Sequence, residues 1–190
     1  MGLVLATAPT TEPVTVAEAK SHLRITTSAE DTYIGELISG ARAKVEQDTN
    51  RSVATTTWDL WWDIPPVLRA IRLPRPPLQS VTYIKYYSTA DVEATFGSIN
   101  YFVDVSNQQG GRISLTEGSA WPSDGLRYAN AIVTRFVAGY TVVPFDLKHA
   151  MKMLIAHWYE NREALNVGNI VAEYPLGYKE LIWPYKVFSL

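Results

Sequence analysis

The sequence contains no cysteine, which excludes a disulfide framework, a thiolate metal site and a cysteine nucleophile. Charged residues make up only 19% of the 190 residues, whereas aromatic residues make up 12%. No run of about 18 apolar residues occurs, so no segment is predicted to span a membrane. The apolar first nine residues lack a basic region and do not read as a signal peptide. A surface short of charge and rich in large rings is typical of a protein that buries surface against partners.

Histidine is also scarce, and its three copies do not form a metal-ligand pattern. His149 and His157 are too far apart on one helix to chelate together, and His157 with Glu160 supplies at most two ligands. No nucleophile elbow, phosphate-binding glycine loop, dinucleotide fingerprint or zinc-protease motif occurs. We therefore predict no catalytic, cofactor-binding or metal site, and no enzyme activity.

Two clusters are the remaining candidates for chemistry. The densest basic group is Arg69, Arg72 and Arg75. Because the formal net charge is −2, this group is more typical of a solvated loop, or of a loop that bridges subunits, than of nucleic-acid binding. Asp59 and Asp63 flank Trp61 on one predicted strand face, as in a carbohydrate-binding or glycosidase cleft. The favoured alternative is a strand face that is exposed or covered by another subunit.

Helical patterns occupy both ends of the chain. In residues 1–50, Thr15 and Glu18 have the spacing of a capping box, which predicts a short helix over 16–23. Apolar residues from Ile34 to Val45 recur at helical spacing and predict a second helix that ends at Asn50. Residues 144–167 show the clearest helical stripe, from Leu147 to Trp158.

Residues 51–143 change to strand character, with β-branched and aromatic residues between turn signals. The predicted strands are 57–64, 70–73, 81–87, 91–96, 101–105, 112–115 and 131–140. Residues 107–111 predict a hairpin turn, and residues 168–190 have aromatic anchors but no sustained period. The predicted class is α+β: a helical body built from both chain ends, a mainly antiparallel β-rich insertion, and an extended C-terminal tail.

Three stretches resemble the head–tail connector proteins of tailed phages, which are also called adaptor or head-completion proteins. They are residues 12–25 with 31–46, residues 144–163, and residues 175–178 with 181–187. Their order and spacing are similar to the larger branch of that family, which carries a β-rich insertion and includes adaptors of gene-transfer particles. The middle of the chain matches in general character alone, and Lys186 stands where arginine is more usual.

The resemblance implies a structural protein of the virion neck that assembles in the host cytoplasm. Members form a ring, usually dodecameric, which docks on the portal protein, extends the DNA channel and carries the next neck or tail protein. Genomic DNA would pass without sequence-specific binding, and no membrane is involved. The alternatives are another neck or tail component, such as a stopper or terminator, and a carbohydrate-binding β-module.

The resemblance also implies which residues meet partners. The tail would bind the portal through Tyr178, Leu181, Ile182, Trp183, Tyr185, Lys186, Val187 and Phe188. Contacts between subunits are expected at Trp61, Arg69, Arg72 and Arg75. Trp58, Trp62 and Trp158 are expected in the core.

Overall fold

A computed structural model describes residues 1–107, 109–162 and 177–188. The chain divides into two compact units, and the α+β class is confirmed. The β unit consists of Met1–Thr10 and Thr55–Tyr140, and the helical unit consists of Thr11–Ala54 and Thr141–Leu190. Parts of two predicted segments, 163–167 of the long helix and 168–176 of the tail, lie outside the described residues. Within the described ranges, no helix is long and apolar enough to cross a membrane.

The helical unit contains helices α1 (Val16–Leu23), α2 (Asp31–Thr49), α3 (Phe145–Glu160) and α4 (Tyr178–Ile182), then a 3-10 turn (Trp183–Tyr185). The capping box before α1 is formed as predicted. The Thr15 N–H donates to the Glu18 carboxylate at 2.8 Å, and the Glu18 N–H donates to the Thr15 hydroxyl at 3.1 Å. α2 ends at Thr49, and the capping residue Asn50 takes the left-handed conformation common at helix ends.

The core of the helical unit is mainly aliphatic, and it also includes the Tyr178 ring. The predicted stripe of α2 is buried at Ile34, Ile38, Ala41 and Val45, and the stripe of α3 is buried at Leu147, Ala150, Met151, Leu154 and Ile155. Trp158 is only partly buried, so it lies at the edge of this core. Both helices therefore pack through the faces that their periodicity predicts.

The β unit contains eight strands among its described residues, all paired antiparallel. They are β1 (Gly2–Thr7), β2 (Thr56–Trp62), β3 (Ala70–Arg72), β4 (Leu78–Tyr87), β5 (Glu93–Thr95), β6 (Tyr101–Asp104), β7 (Arg112–Leu115) and β8 (Ile132–Ala138). A five-stranded sheet has the order β1-β2-β8-β4-β5, and a three-stranded sheet has the order β3-β7-β6. The core between them includes Leu60, Ile84, Ile113 and Phe136, with Trp58 and Trp62 partly buried against it.

Two segments differ from the prediction. Residues 1–10 were expected in the helical part of the body, but β1 pairs with β2 and adds an edge to the sheet. The tail was expected to be extended, but residues 178–182 form α4. Both differences arise from contacts with residues distant in sequence, which local periodicity does not encode.

Candidate partner-binding surfaces

The described C-terminal segment, residues 177–188, is anchored in the helical unit. Tyr178 and Ile182 of α4 are only 1% exposed. The Tyr178 hydroxyl donates to the Asp48 carboxylate of α2 at 2.8 Å. Two of the residues that the resemblance assigns to portal binding are therefore held inside their own unit.

Main-chain hydrogen bonds hold the end of the segment. The Val187 N–H donates to the Thr49 carbonyl at 2.9 Å, and the Asn50 side-chain amide donates to the Val187 carbonyl at 3.0 Å. The Arg51 guanidinium donates to the Tyr185 carbonyl. The first bond satisfies the Thr49 carbonyl at the end of α2, and the other two satisfy carbonyls of the C-terminal segment, so together they fix the path of the last residues.

Two large rings project from this anchored segment. Trp183 is 63% exposed and Phe188 is 69% exposed, and their ring centroids are 6.0 Å apart in an edge-to-face arrangement. The Lys186 ammonium lies 5.5 Å from the Trp183 ring centroid, a cation–π distance. We call Trp183, Lys186 and Phe188 the C-terminal aromatic surface. Leu181, Tyr185 and Val187 are partly buried.

Phe145, at the start of α3, is an exposed ring that the sequence did not single out. It stacks on His149 with ring centroids 6.0 Å apart, and the Lys152 ammonium lies 5.5 Å from its centroid. Tyr185 approaches the same turn, because its hydroxyl donates to Asp146 at 3.2 Å. Phe145 lies off the apolar stripe of α3, and that offset is the signal that could have identified it.

The structure also brings together two histidines that the sequence did not pair. His22 and His149 have ring centroids 6.2 Å apart. No group of three or more histidine or carboxylate side chains in the described ranges is arranged to hold a metal ion.

The two aspartates near Trp61 are engaged inside the β unit. Asp59 was expected on a strand face that is exposed or covered by another subunit. It is instead buried within its own unit, because β2 pairs with β8 and sets it opposite Arg135. The Arg135 guanidinium donates twice to the Asp59 carboxylate, at 2.7 and 2.6 Å, and these bonds raise the pKa of Arg135. Asp63 accepts the Asn130 N–H at 2.9 Å.

Trp61 stacks on Tyr87 of β4, with ring centroids 6.2 Å apart and planes inclined by 26°. Its ring is partly buried by a neighbour from its own unit. Part of the ring area that the sequence assigned to a subunit contact is therefore used in the sheet.

The three predicted interface arginines have different neighbours within the β unit. Arg69 donates to the Thr116 carbonyl at 2.8 Å, and the Arg75 guanidinium lies 5.6 Å from the Trp58 ring centroid. Arg72 is exposed on β3, opposite Arg112 in the sheet register. Arg69 and Arg72 are both exposed, whereas Arg75 is partly buried.

Comparison with known proteins identifies relatives among particle-neck components. The chain matches the sequence model of the family described as head completion protein over residues 12–168. A solved structure described as the neck of an empty GTA particle computed with C6 symmetry has a TM-score of 0.81 and 25% identity, covering 100% of this chain and 97% of that chain.

Two further structures share the fold. The virion of a native gene transfer agent (GTA) particle gives a TM-score of 0.82 at 24% identity, again over 100% of this chain and 97% of the other. The neck of the native GTA particle computed with C12 symmetry gives a TM-score of 0.75 at 23% identity, with the same coverage of both chains. No curated protein matches the chain. Since the family match spans most of the sequence, the chain belongs to the head completion protein family.

Proposed function

We propose that the chain is a structural subunit of the neck of a phage-like particle. In this proposal, copies form a ring, dodecameric as in most adaptors, that docks on the portal protein and extends the DNA channel. The far side of the ring supports the next neck or tail protein. Family membership and the likeness to the neck of an empty GTA particle, whose structure was computed with C6 symmetry, support a repeated structural subunit.

The C-terminal aromatic surface carries the portal-docking part of the proposal. Large exposed rings are costly on a free monomer's surface and are enriched at the energetic centres of interfaces. Trp183 and Phe188 are held by an anchored segment, so little conformational entropy is lost when a partner covers them. This arrangement favours docking by a preformed surface over docking by an unfolded tail.

The charge distribution is compatible with DNA passing through the ring. The first 50 residues carry seven acidic and four basic side chains. Tight binding to DNA requires several basic contacts to phosphates, and an acidic wall does not supply them. Arg72 is proposed as one of the contacts between neighbouring copies in the ring.

The test is the double substitution Trp183→Ala/Phe188→Ala. The purified variant should no longer co-sediment with DNA-filled capsids that carry portal, whereas wild-type protein does. The matched control is Tyr128→Ala, which removes a ring that is 96% exposed in the β unit and should bind like wild type.

Undiminished binding by the double variant would overturn the assignment of the C-terminal aromatic surface. Binding only to capsids that already carry a ring under the portal would indicate a stopper instead of an adaptor. Deletion of residues 178–190 is a poorer test, because it removes Tyr178 and Ile182 from the core of the helical unit.

A further inference from the structure

Among its described residues, the β unit has four edge strands, and two of them are protected against strand addition. β3 and β5 are three residues long. β3 ends at the exposed Arg72, and β5 begins at Glu93, which pairs with Lys85 at 2.6 Å. Short edges that carry charge are the usual defence against pairing with another chain.

β1 lacks this defence. Its six residues include no charged residue and no proline, and its outer edge pairs with no other strand of the described residues. Val4 is 52% exposed and Leu5 is 50% exposed. Leu5 lies opposite Trp58, which packs against the core, so the apolar face of the sheet reaches this edge without a cover.

β6 is the second unprotected edge. Phe102 is 64% exposed and the following Val105 is also exposed. The single charge of β6, Asp104, is already bound by Arg112 at 2.8 Å and by the Ser106 hydroxyl at 2.6 Å. The outer edge of β6 therefore offers main-chain groups beside an apolar side chain and carries no uncompensated charge.

The two open edges match in length and chemistry. Pairing of β1 with β2 is continuous from Gly2 to Leu5, before a register shift, and β6 is also four residues long. Pairing of β1 with β1, or of β6 with β6, would be two-fold symmetric and would stop at a dimer. Pairing of β1 with β6 joins two different edges, so it repeats from copy to copy.

We infer that β1 of one copy adds to the outer edge of β6 of the next copy, and that this strand pairing links the copies of the ring. The inference rests on the proposed ring and names the surface that builds it. Main-chain hydrogen bonds would supply affinity, and burial of Val4, Leu5 and Phe102 would supply the apolar contact and favour one register.

The absence of native cysteine makes the pairing directly measurable. Val4→Cys and Phe102→Cys are prepared as separate full-length proteins, mixed, and treated with a bismaleimide that reaches about 8 Å, the distance of a diagonal cross-strand neighbour. The mixture should give a covalent dimer, and each variant alone should not. A protein that carries both substitutions should give a ladder of higher oligomers on portal-containing capsids.

Val142→Cys is the matched control, because Val142 is an exposed valine of the helical unit. A yield of cross-linked dimer for the Val4–Phe102 pair no greater than that for Val4–Val142, or equal dimer formation by one variant alone, would overturn the inference.

Val4→Lys should abolish ring assembly without lowering the unfolding midpoint, whereas Val142→Lys should change neither.

Co-sedimentation with portal-containing capsids separates this inference from the proposed function. Protein that co-sediments but gives no Val4–Phe102 product contradicts the strand pairing alone. Protein that gives the product in free solution but does not co-sediment supports the strand pairing and contradicts portal docking.

Discussion

The two units use their aromatic rings differently. In the β unit, Trp61 stacks on Tyr87, and Phe96 packs against Trp121 with ring centroids 5.7 Å apart. In the helical unit, Trp183 and Phe188 remain largely exposed above an aliphatic core. An aromatic surplus in a composition therefore has two origins: rings that pack within their own unit, and exposed rings such as Trp183, Phe188 and, in the β unit, Phe102, which we propose as contacts with partners.

The described end of the chain offers the strongest test of this comparison, because it contains both kinds of ring. Tyr178→Ala should lower the free energy of unfolding by about 3–5 kcal/mol, since it removes a buried ring. Tyr178→Phe, which removes the hydroxyl that donates to Asp48 and keeps the ring, should lower the free energy of unfolding by about 1 kcal/mol. Urea unfolding measures both. A wild-type midpoint for Tyr178→Ala would show that residues 177–188 do not pack on the helical unit.

The ion pair of the β unit gives the next largest effect. Asp59→Asn leaves the Arg135 guanidinium without its carboxylate and should lower the free energy of unfolding by about 2 kcal/mol. This is less than the loss expected on breaking a fully buried pair, because Arg135 is partly exposed. The control is Asp91→Asn, which neutralises an exposed partner of Arg127 and should cost less than about 1 kcal/mol. Equal costs in urea unfolding would mean that pairing of β2 with β8 does not bury the Asp59 pair.

The capping box of α1 gives a smaller effect that depends on pH. The bond from the Thr15 N–H, and then the nearby Lys148 ammonium, lower the pKa of Glu18 below its ordinary value. The pKa of Glu18 is lower in the folded protein than in the unfolded chain. The ionised carboxylate therefore contributes its full stabilisation above the unfolded-state pKa of about 4.3, and this contribution is lost as the pH falls through the folded-state pKa.

Glu18→Gln should therefore lower the free energy of unfolding by about 0.5–1 kcal/mol near pH 7. The gap in stability between this variant and wild type should close in acid. Thermal unfolding across pH measures this gap. A gap of constant size down to the lowest pH would contradict a role for the ionised carboxylate. Glu36→Gln, on an exposed position of α2, is the control and should change stability by less than about 0.5 kcal/mol near pH 7.

The smallest effect on stability belongs to the exposed rings. Trp183→Ala/Phe188→Ala should change the free energy of unfolding by less than about 1 kcal/mol, because both rings contact solvent more than core. A loss of stability as large as that of Tyr178→Ala would show that these two rings stabilise the fold as Tyr178 does. It would contradict the contrast between packed and exposed rings.

The sequence predicts well where one local rule decides the structure. Thr15 and Glu18 define the start of α1, the stripes of α2 and α3 define their buried faces, and the hairpin signal at 107–111 separates β6 from β7. These patterns depend on residues within a few turns or one loop of each other, so one chain segment contains the information.

The sequence does not predict structure that depends on distant partners. Gly2–Thr7 has no alternation of apolar and polar residues, and it becomes a strand because β2 supplies its ladder. The five-residue α4 is too short to be stable alone, and contacts with Asp48 and Thr49 hold its neighbourhood in place. The Asp59–Arg135 pair joins residues 76 positions apart, and only the strand register brings them together.

Electron microscopy of portal-containing particles tests the central claim most directly. Particles assembled with wild-type protein should show a ring of this chain on the narrow end of the portal, with the C-terminal aromatic surface at the contact. Particles assembled with Trp183→Ala/Phe188→Ala should lack that ring. An unchanged ring in the variant, or a ring of the wild-type chain elsewhere in the particle, would contradict the account.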